Sequence, residues 1–226
     1  KNNCMKYLIC CSKKWFFLNC KNSFKNKKNI RFIFNKKQLN LKFLKKYNPK
    51  IIFFPHWSYF ISSSIYSNYT CVLFHSSNLP YGRGGSPIQN LILKKINKSY
   101  VCAIKPQKQM DSGDIYMKKK LNLHGSLNDI FLRITKILEF MILKIIKKIP
   151  TARKQSGKIV KFKRISSKDS KIKKNISLTN LHDKIRMLDH NEYPRAFIKF
   201  GNLKIQFSNS KKINNKLSST VTITKN

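Results

Sequence analysis

Short apolar runs recur through the first half of the chain. The segments between them carry apolar residues at helical spacing, as at Leu39, Leu41, Phe43 and Leu44. Such runs are typical of buried strands, and strands that alternate with short helices indicate βαβ units and a parallel sheet. We therefore predict an α/β fold with a mostly parallel sheet. The predicted strands are residues 7–11, 30–34, 51–54, 71–74 and 100–104, with a short extended piece at 115–117.

The strongest helical pattern lies in residues 126–150. Apolar side chains recur there over a wide face at helical spacing, which indicates a largely buried helix. Ser126 and Asp129, three positions apart at its start, match a capping box, and Pro150 ends the pattern. The apolar positions are Ile130, Phe131, Ile134, Ile137, Leu138, Met141, Ile142, Ile145 and Ile146.

The pattern changes after residue 150. A basic, polar stretch predicts a linker with one short strand, and a second helix follows it. The Gly201-Asn202 dipeptide then separates two strand-like runs and fits a hairpin turn. The last run fits either a third strand or a frayed tail. The predicted division is a main domain over 5–150, a linker over 151–176 with its strand at 159–162, and a C-terminal part over 177–226 that holds a helix at 178–189 and a small β subdomain with strands at 196–200, 203–207 and 219–224.

The chain is strongly basic. It has 226 residues, with 48 Lys and Arg against 8 Asp and Glu, and a formal net charge of +40. Such a balance is typical of proteins that bind nucleic acid or other anionic partners. All but seven of the basic residues are lysines, however, and they are spread along a chain that is also rich in Asn, Ile and Phe. A coding bias is therefore the favoured explanation, although the charge would still attract anionic substrates.

The six cysteines form no CxxC pair and show no metal-ligand spacing. Cys10, Cys11 and Cys71 lie in predicted strands, where a free thiol behaves as a small hydrophobic side chain. We expect a reducing, cytoplasmic location. No apolar run approaches the length of a membrane span, so no membrane partner is expected. The other cysteines are Cys4, Cys20 and Cys102.

Residues 74–88 differ from the rest of the chain. Three of the seven glycines fall within positions 82–85, where they let the backbone approach a ligand or adopt a positive φ. Ser86 and Pro87 are typical of a helix start, with serine as the N-cap. A tight connection between strand and helix would explain the glycines, but it does not explain His75 at the end of the strand. Ligands of parallel sheets bind beyond the carboxyl ends of the strands, so His75 is a candidate general base.

This segment resembles the signature of the methionyl-tRNA formyltransferase and glycinamide ribonucleotide transformylase group. The signature has Asn-x-His at a strand end, then Ser-Leu-Leu-Pro, a glycine-containing loop, a helix-opening proline and a later Asp-x-Gly. Asp111-Ser112-Gly113 matches the last part, 36 residues after His75. The resemblance runs from about residue 5 to about residue 208, and its motifs agree in order. Other matches are Phe53, Phe54, Pro55, His56, Trp57, Ser77, Leu79, Pro80, Arg83, Gly84, Pro87, Ile88, Leu181, His182, Ile185, Arg186, Leu188, Pro194, Ala196 and Phe197.

The resemblance implies a Rossmann-like formyltransferase domain with 10-formyltetrahydrofolate as co-substrate and an amine as acceptor. His75 and Asp111 would be catalytic: His75 would bind the developing oxyanion or transfer a proton. Asp111 would orient His75 and, with an ordered water, receive the proton of the amine. Arg83 would contact a phosphate or the folate glutamate, or only brace the glycine loop. No metal is implied. The pterin ring would lie against Pro55, His56, Trp57, Met110 and Gly113, and the acceptor against Ser77, Asn78, Arg83 and Gly84. Simple packing explains Trp57 nearly as well.

The sequence departs from the family pattern at Leu73. The family has asparagine two residues before its histidine, and a leucine cannot donate a hydrogen bond to the developing oxyanion. Loss of one such donor typically lowers the rate about 100- to 1,000-fold. Ser76, Ser77 and Asn78 are close enough in sequence for one of them to substitute. Because the other two catalytic residues are present, an active transferase is expected.

The acceptor is less well defined. The residues after Tyr193 are too few to form the C-terminal β-barrel that helps a methionyl-tRNA formyltransferase hold tRNA. This favours the amino group of a nucleotide-linked amino sugar, with methionyl-tRNA as the alternative that the +40 charge supports. A further alternative is a catalytically decayed RNA-binding homologue, in which Leu73 would mark the lost activity. A homodimer is compatible with each alternative.

Overall fold

The structure, a computed structural model, describes residues 5–225. The strands are β1 (Tyr7–Cys10), β2 (Ile30–Ile33), β3 (Ile51–Phe54), β4 (Cys71–His75), β5 (Tyr81–Gly84), β6 (Lys98–Ile104), β7 (Ile115–Asn122), β8 (Val160–Phe162), β9 (Ala196–Phe200), β10 (Leu203–Ile213) and β11 (Lys216–Lys225). The helices are α1 (Lys14–Phe24), α2 (Leu41–Tyr47), α3 (Ser63–Tyr66), α4 (Pro87–Leu93), α5 (Leu127–Lys147) and α6 (Leu178–Arg186). No helix of the described residues is long and apolar enough to cross a membrane.

The described chain forms two compact units, each made of several segments. The first unit contains residues 5–83, 100–120 and 134–160, and the second contains 84–99, 121–133 and 161–225. The domain boundaries predicted from the sequence, at residues 150 and 176, divide the chain into contiguous segments, and this division stays a prediction.

A six-stranded sheet in the order β2-β1-β3-β4-β6-β7 organises the first unit. The four strands β2, β1, β3 and β4 run parallel to one another, and β6 runs antiparallel to β4. The predicted α/β fold with a mostly parallel sheet is therefore confirmed. Since β1, β3 and β4 are parallel, their carboxyl ends lie along one edge, and the loop after β3 and His75 of β4 come close to that edge.

The core of the first unit explains why its strands are apolar throughout. Strands β1 and β3 are buried along their whole length, because each has a neighbouring strand on both sides and protein atoms cover both of its faces. On one face Leu8 and Ile52 pack with Leu44 of α2 and Ile65 of α3. Burying a side chain of this size stabilises the fold by about 1.5–3 kcal/mol.

The cysteines of the described residues serve this core as small apolar side chains. Cys10, Cys11, Cys20, Cys71 and Cys102 are all buried free thiols. Burial raises the pKa of the Cys71 thiol to about 12, so the thiolate is disfavoured. The hydrophobic role predicted for the strand cysteines is confirmed, and Cys4 lies outside the described residues.

A three-stranded antiparallel sheet, β9-β10-β11, lies in the second unit. The predicted hairpin at Gly201-Asn202 is confirmed, since β9 and β10 pair on either side of it. The last apolar run forms the full-length strand β11. The capping box of α5 is also confirmed: Ser126 N donates to Asp129 Oδ2 at 2.9 Å, and Asp129 N donates to Ser126 Oγ at 3.2 Å.

The predicted cap of α4 is wrong. Ser86 has a φ of 48° and makes no side-chain capping bond. Its hydroxyl accepts a hydrogen bond from Ile165 N at 3.0 Å instead. A serine before a helix-opening proline therefore contacts a segment distant in sequence, which no local pattern could have indicated.

A buried ion pair braces the second unit. Asp183 is 6% exposed and accepts from Arg186 Nε and Lys95 Nζ, each at 2.6 Å. Arg186 also donates from Nη1 to the carbonyls of Leu123 (2.7 Å) and Gly125 (3.1 Å). One carboxylate thus joins α6 to the segment after α4, and its arginine partner joins α6 to the turn before α5.

We predict that Asp183→Asn lowers the free energy of unfolding by about 3 kcal/mol, because it leaves a buried guanidinium without its counter-charge. Asp169→Asn is the matched control, since Asp169 is an exposed carboxylate that caps a turn at Ser166. Urea unfolding should show a much smaller change for the control. Equal shifts of the two midpoints would contradict this role for the ion pair.

Candidate active site

The site forms around His75, the last residue of β4. The histidine is 8% exposed, and its Nε2 atom lies 2.7 Å from the carbonyl oxygen of Gly82. Because a carbonyl oxygen only accepts, Nε2 carries the proton of this hydrogen bond. The buried hydroxyl of Ser77 donates to the same oxygen at 3.1 Å. The glycine loop therefore fixes the ring of His75 through a main-chain atom.

Asp111 faces the other ring nitrogen. Its Oδ2 atom lies 3.4 Å from His75 Nδ1, and the side chains are 9% and 8% exposed. The two residues that the family resemblance assigned to catalysis are thus brought together across 36 residues of chain. With Nε2 protonated, Nδ1 is the atom that can gain a proton, and the carboxylate would stabilise the resulting positive charge.

The backbone of Asp111 adopts a left-handed conformation, with φ of 53°. This region is disfavoured for residues with a Cβ, although aspartate tolerates it better than most. Gly113, two residues later, has its Cα against Lys105. A Cβ there would lie 1.7 Å from the Lys105 carbonyl oxygen. The Asp-x-Gly motif therefore has a steric explanation for its glycine, independent of any contact with a ligand.

Gln155 contributes a contact that the sequence analysis missed. Its Oε1 accepts from Arg83 Nε at 3.0 Å and Arg83 Nη2 at 2.8 Å. Its Nε2 donates to the carbonyls of Asp111 and Gly113, both at 2.8 Å. All the hydrogen-bonding capacity of the amide is used, since arginine only donates and carbonyls only accept. Residue 155 lies in the stretch predicted as a basic linker, where a single glutamine does not indicate a contact with the site.

The contacts of Arg83 agree with one of its two predicted roles. The side chain is 8% exposed and directed to Gln155, so it braces the glycine loop against the Asp111 segment. Gly84, predicted beside the acceptor, lies in the second unit with φ of 109°. A Cβ there would lie 2.5 Å from the Phe162 carbonyl oxygen, so close packing accounts for this glycine.

The loop after β3 holds three of the residues predicted to bind folate. Pro55 is buried, and His56 has φ of 47° with its ring 4.7 Å from that of Trp15. Trp57 packs edge-on against Phe54. Its Nε1 atom is buried and has no hydrogen-bond partner among the described residues. Met110, the predicted partner on the other side of the pterin, is 62% exposed.

Leu73 is partly buried among apolar side chains. It packs against Leu79, Cys102 and Ile104 on the face of the sheet that also carries His75. Beyond this face, Lys118 Nζ donates to Asn78 Oδ1 at 2.8 Å and to the Leu79 carbonyl at 2.7 Å. The oxygen of Asn78 is therefore engaged, which leaves its amide nitrogen as the donor end of an exposed side chain.

The remaining histidines have structural surroundings or face solvent. His182 Nδ1 lies 3.0 Å from Ser210 Oγ, and burial is the main cause that lowers its pKa. His190 packs edge-on against Phe131 at 5.0 Å, and His124 is exposed. Among residues 5–225, no three His, Cys, Asp or Glu side chains are grouped as metal ligands would be.

Formyltransferases are among the known proteins that are similar to this chain in fold and sequence. A family model described as the methionyl-tRNA formyltransferase C-terminal domain matches residues 167–224. The solved methionyl-tRNA formyltransferase from Clostridium thermocellum is 40% identical with a TM-score of 0.93, over 98% of this chain and 100% of that one. A 4-N formyltransferase from Francisella tularensis shares the fold at 13% identity, with a TM-score of 0.67 and 96% of each chain covered.

The chain therefore belongs to the formyltransferase family, as the sequence motifs predicted. Within that family it is similar to methionyl-tRNA formyltransferases. The one from Malacoplasma penetrans (strain HF-2) is 28% identical over 188 residues, which are 79% of this chain and 59% of that protein. The chain thus spans less than two thirds of the length of this relative.

We predict that Gly113→Ala destabilises the protein by about 3 kcal/mol, because the new methyl group would overlap the Lys105 carbonyl. Gly201→Ala is the control: this glycine has φ of 56°, but no other atom lies within 4 Å of the position that a methyl group would take. Only the cost of the left-handed conformation applies there, about 1 kcal/mol. Chemical denaturation of both variants tests the difference, and a loss at position 113 no larger than at 201 would contradict the steric argument.

Proposed function

We propose that the protein transfers a formyl group from 10-formyltetrahydrofolate to the amino group of methionyl-tRNA. The observation that carries the proposal is the buried His75–Asp111 pair, at 3.4 Å, in a chain 40% identical to a methionyl-tRNA formyltransferase over nearly its whole length. The pair supplies a proton acceptor with a counter-charge beside a strand end, where α/β sheets bind their ligands.

The reaction needs an acceptor amine that loses a proton and a formyl oxygen that gains negative charge. The acceptor nitrogen bonds to the formyl carbon as the bond between that carbon and the folate nitrogen breaks, and tetrahydrofolate leaves with a proton that balances the one lost by the amine. His75 takes up a proton at Nδ1, and the carboxylate of Asp111 stabilises the imidazolium that results. Since the Gly82 carbonyl, which also accepts from Ser77, holds the ring of His75 at Nε2, the histidine does not need to reorient during the reaction.

The negative charge on the formyl oxygen needs a hydrogen-bond donor, and Leu73 has none to offer. The donor candidates are the amide nitrogen of Asn78, three residues after His75 in the sequence, and the ammonium group of Lys118, which donates to the oxygen of Asn78. A charged donor in such a place strengthens the interaction with a developing anion. This cluster is the reason for retaining catalysis in preference to the decayed, RNA-binding alternative.

The residues predicted to hold folate fit a polar aromatic ring system. Trp57 Nε1 is a buried donor without a partner in the described chain, and a pterin ring carries acceptors that such a donor could bind. Exposed Met110 offers an apolar, adaptable surface on the second loop. The proposed reaction uses proton transfer and hydrogen bonding, and none of its steps is assigned to a metal.

Two observations favour methionyl-tRNA over a nucleotide-linked amino sugar, the acceptor expected from the sequence. The family model of the methionyl-tRNA formyltransferase C-terminal domain matches residues 167–224, so the C-terminal part is similar to that domain. The net charge of +40 suits a polyanionic acceptor. The likeness to the Francisella enzyme supports only the fold, so the amino sugar is kept as a second arm of the test. The cytoplasmic location and the homodimer stay predictions.

We predict that the purified protein formylates methionyl-tRNA with 10-formyltetrahydrofolate as donor, and that His75→Ala lowers kcat/KM about 100-fold or more, because the proton acceptor is lost. His124→Ala is the matched control, since the side chain of His124 is exposed and has no role in the proposed site. Mass spectrometry of the aminoacyl product would detect the gain of one CO unit.

A nucleotide-linked amino sugar is assayed in parallel under the same conditions. Formylation of the sugar alone would overturn the acceptor assignment and leave the transferase class intact. Absence of formyl transfer to either acceptor, by folded protein that binds folate, would overturn the proposed activity.

A further inference from the structure

We propose that Gln155 is a positioning residue for the reaction: it holds Asp111 in the conformation that lets its carboxylate face His75. The proposal rests on the function proposed above. Its basis is a closed ring of contacts within the first unit, in which Gln155 is the member most distant in sequence.

The ring can be followed from atom to atom. His75 Nε2 bonds to the Gly82 carbonyl, and the next residue, Arg83, donates twice to Gln155 Oε1. Gln155 Nε2 then donates to the Asp111 carbonyl, and Asp111 Oδ2 returns to His75 Nδ1. The amide group of Gln155 is therefore connected to both catalytic residues. It bonds directly to the main chain of Asp111, and it is connected to His75 through Arg83 and Gly82.

Asp111 needs such a support because of its backbone. Its φ of 53° is a strained value for a residue with a side chain, and strained residues persist only where their surroundings determine them. Gln155 donates to the carbonyl of this residue and to that of Gly113, so it fixes the two peptide groups that orient the turn. Without these bonds the turn can relax, and the carboxylate moves away from His75.

If the role of Gln155 is purely structural, its side chain only anchors the buried Arg83. The two roles separate in Gln155→Glu, because a carboxylate still accepts from Arg83 but cannot donate to the two carbonyls. Gln155→Leu removes both sets of bonds. If positioning of Asp111 is the function, both variants should lose kcat by about 10- to 100-fold, with KM for the acceptor changed less than about threefold. If anchoring Arg83 is the function, Gln155→Glu should keep wild-type kcat.

The matched control is Gln109→Leu. Gln109 is an exposed glutamine of the same loop, and its carbonyl rather than its side chain accepts from Ser112. Its kcat should equal that of the wild type. Urea unfolding of each variant verifies that the protein remains folded under assay conditions.

A double mutant tests whether Gln155 acts through Asp111. In an Asp111→Asn background, adding Gln155→Leu should lower kcat by less than about threefold further, because the group that Gln155 positions is already inactive. Multiplication of the two single effects would overturn the proposal, since Gln155 would then act independently of Asp111.

Hydrogen exchange tests the ordering of the Asp111 loop by Gln155 without an activity assay. Peptides that cover residues 106–116 should exchange about tenfold faster in Gln155→Leu and Gln155→Glu than in the wild type or Gln109→Leu, with the other strands of the sheet unchanged. If the wild type transfers no formyl group, the proposed function fails, and this measurement still decides whether Gln155 orders the loop. Unchanged exchange in both Gln155 variants would overturn the proposal.

Discussion

The contact between His75 Nδ1 and Asp111 Oδ2 is the interaction on which the rest of the site depends. It joins the end of a buried strand to a turn whose backbone has a positive φ, and both side chains are almost fully buried. A buried positive charge is costly unless it is paired, so the carboxylate of Asp111 stabilises the imidazolium that forms when Nδ1 of His75 gains a proton. The glycine loop and Gln155 hold the two partners from opposite sides.

The sheet explains why these groups can meet. Parallel pairing of β1, β3 and β4 brings the loop of Trp57 and the end of β4 to the same edge. Antiparallel addition of β6 then sends the chain back alongside β4, and the following turn carries Asp111 to His75. Both strands are buried at every residue, so this edge of the sheet rests on the core of the first unit.

Much of this arrangement could be predicted from the sequence, for reasons that are local. Short apolar runs predicted the strands, because a strand that is buried on both faces is apolar at every position. Apolar residues three or four positions apart predicted α5, because a helix buries one face. The family motifs gave His75 and Asp111. Gln155 and the bond from Ile165 N to Ser86 could not be predicted, since each depends on a long-range contact to a main-chain atom, and such atoms leave no trace in a sequence. The role of Arg83 was left between a ligand contact and a brace because its partner, Gln155, is distant in sequence.

Leu73 shows how a departure from a family pattern can be accommodated. Its side chain joins an apolar cluster with Leu79 and Ile104, so an asparagine would be poorly solvated there. In the loop after β4, Asn78 accepts a hydrogen bond from Lys118 through its oxygen, which leaves its amide nitrogen as a candidate donor. The proposed chemistry is built on His75 and Asp111, because both of these family residues are present and face each other.

The central claim is that His75 and Asp111 act as one unit in formyl transfer to methionyl-tRNA. Its most direct test is the kcat/KM of His75→Ala, Asp111→Asn and the double variant, compared with the wild type under one set of conditions. A single unit predicts that the double variant is within about threefold of His75→Ala. A double variant whose loss equals the product of the two single losses, or a His75→Ala variant with wild-type activity, would contradict the account.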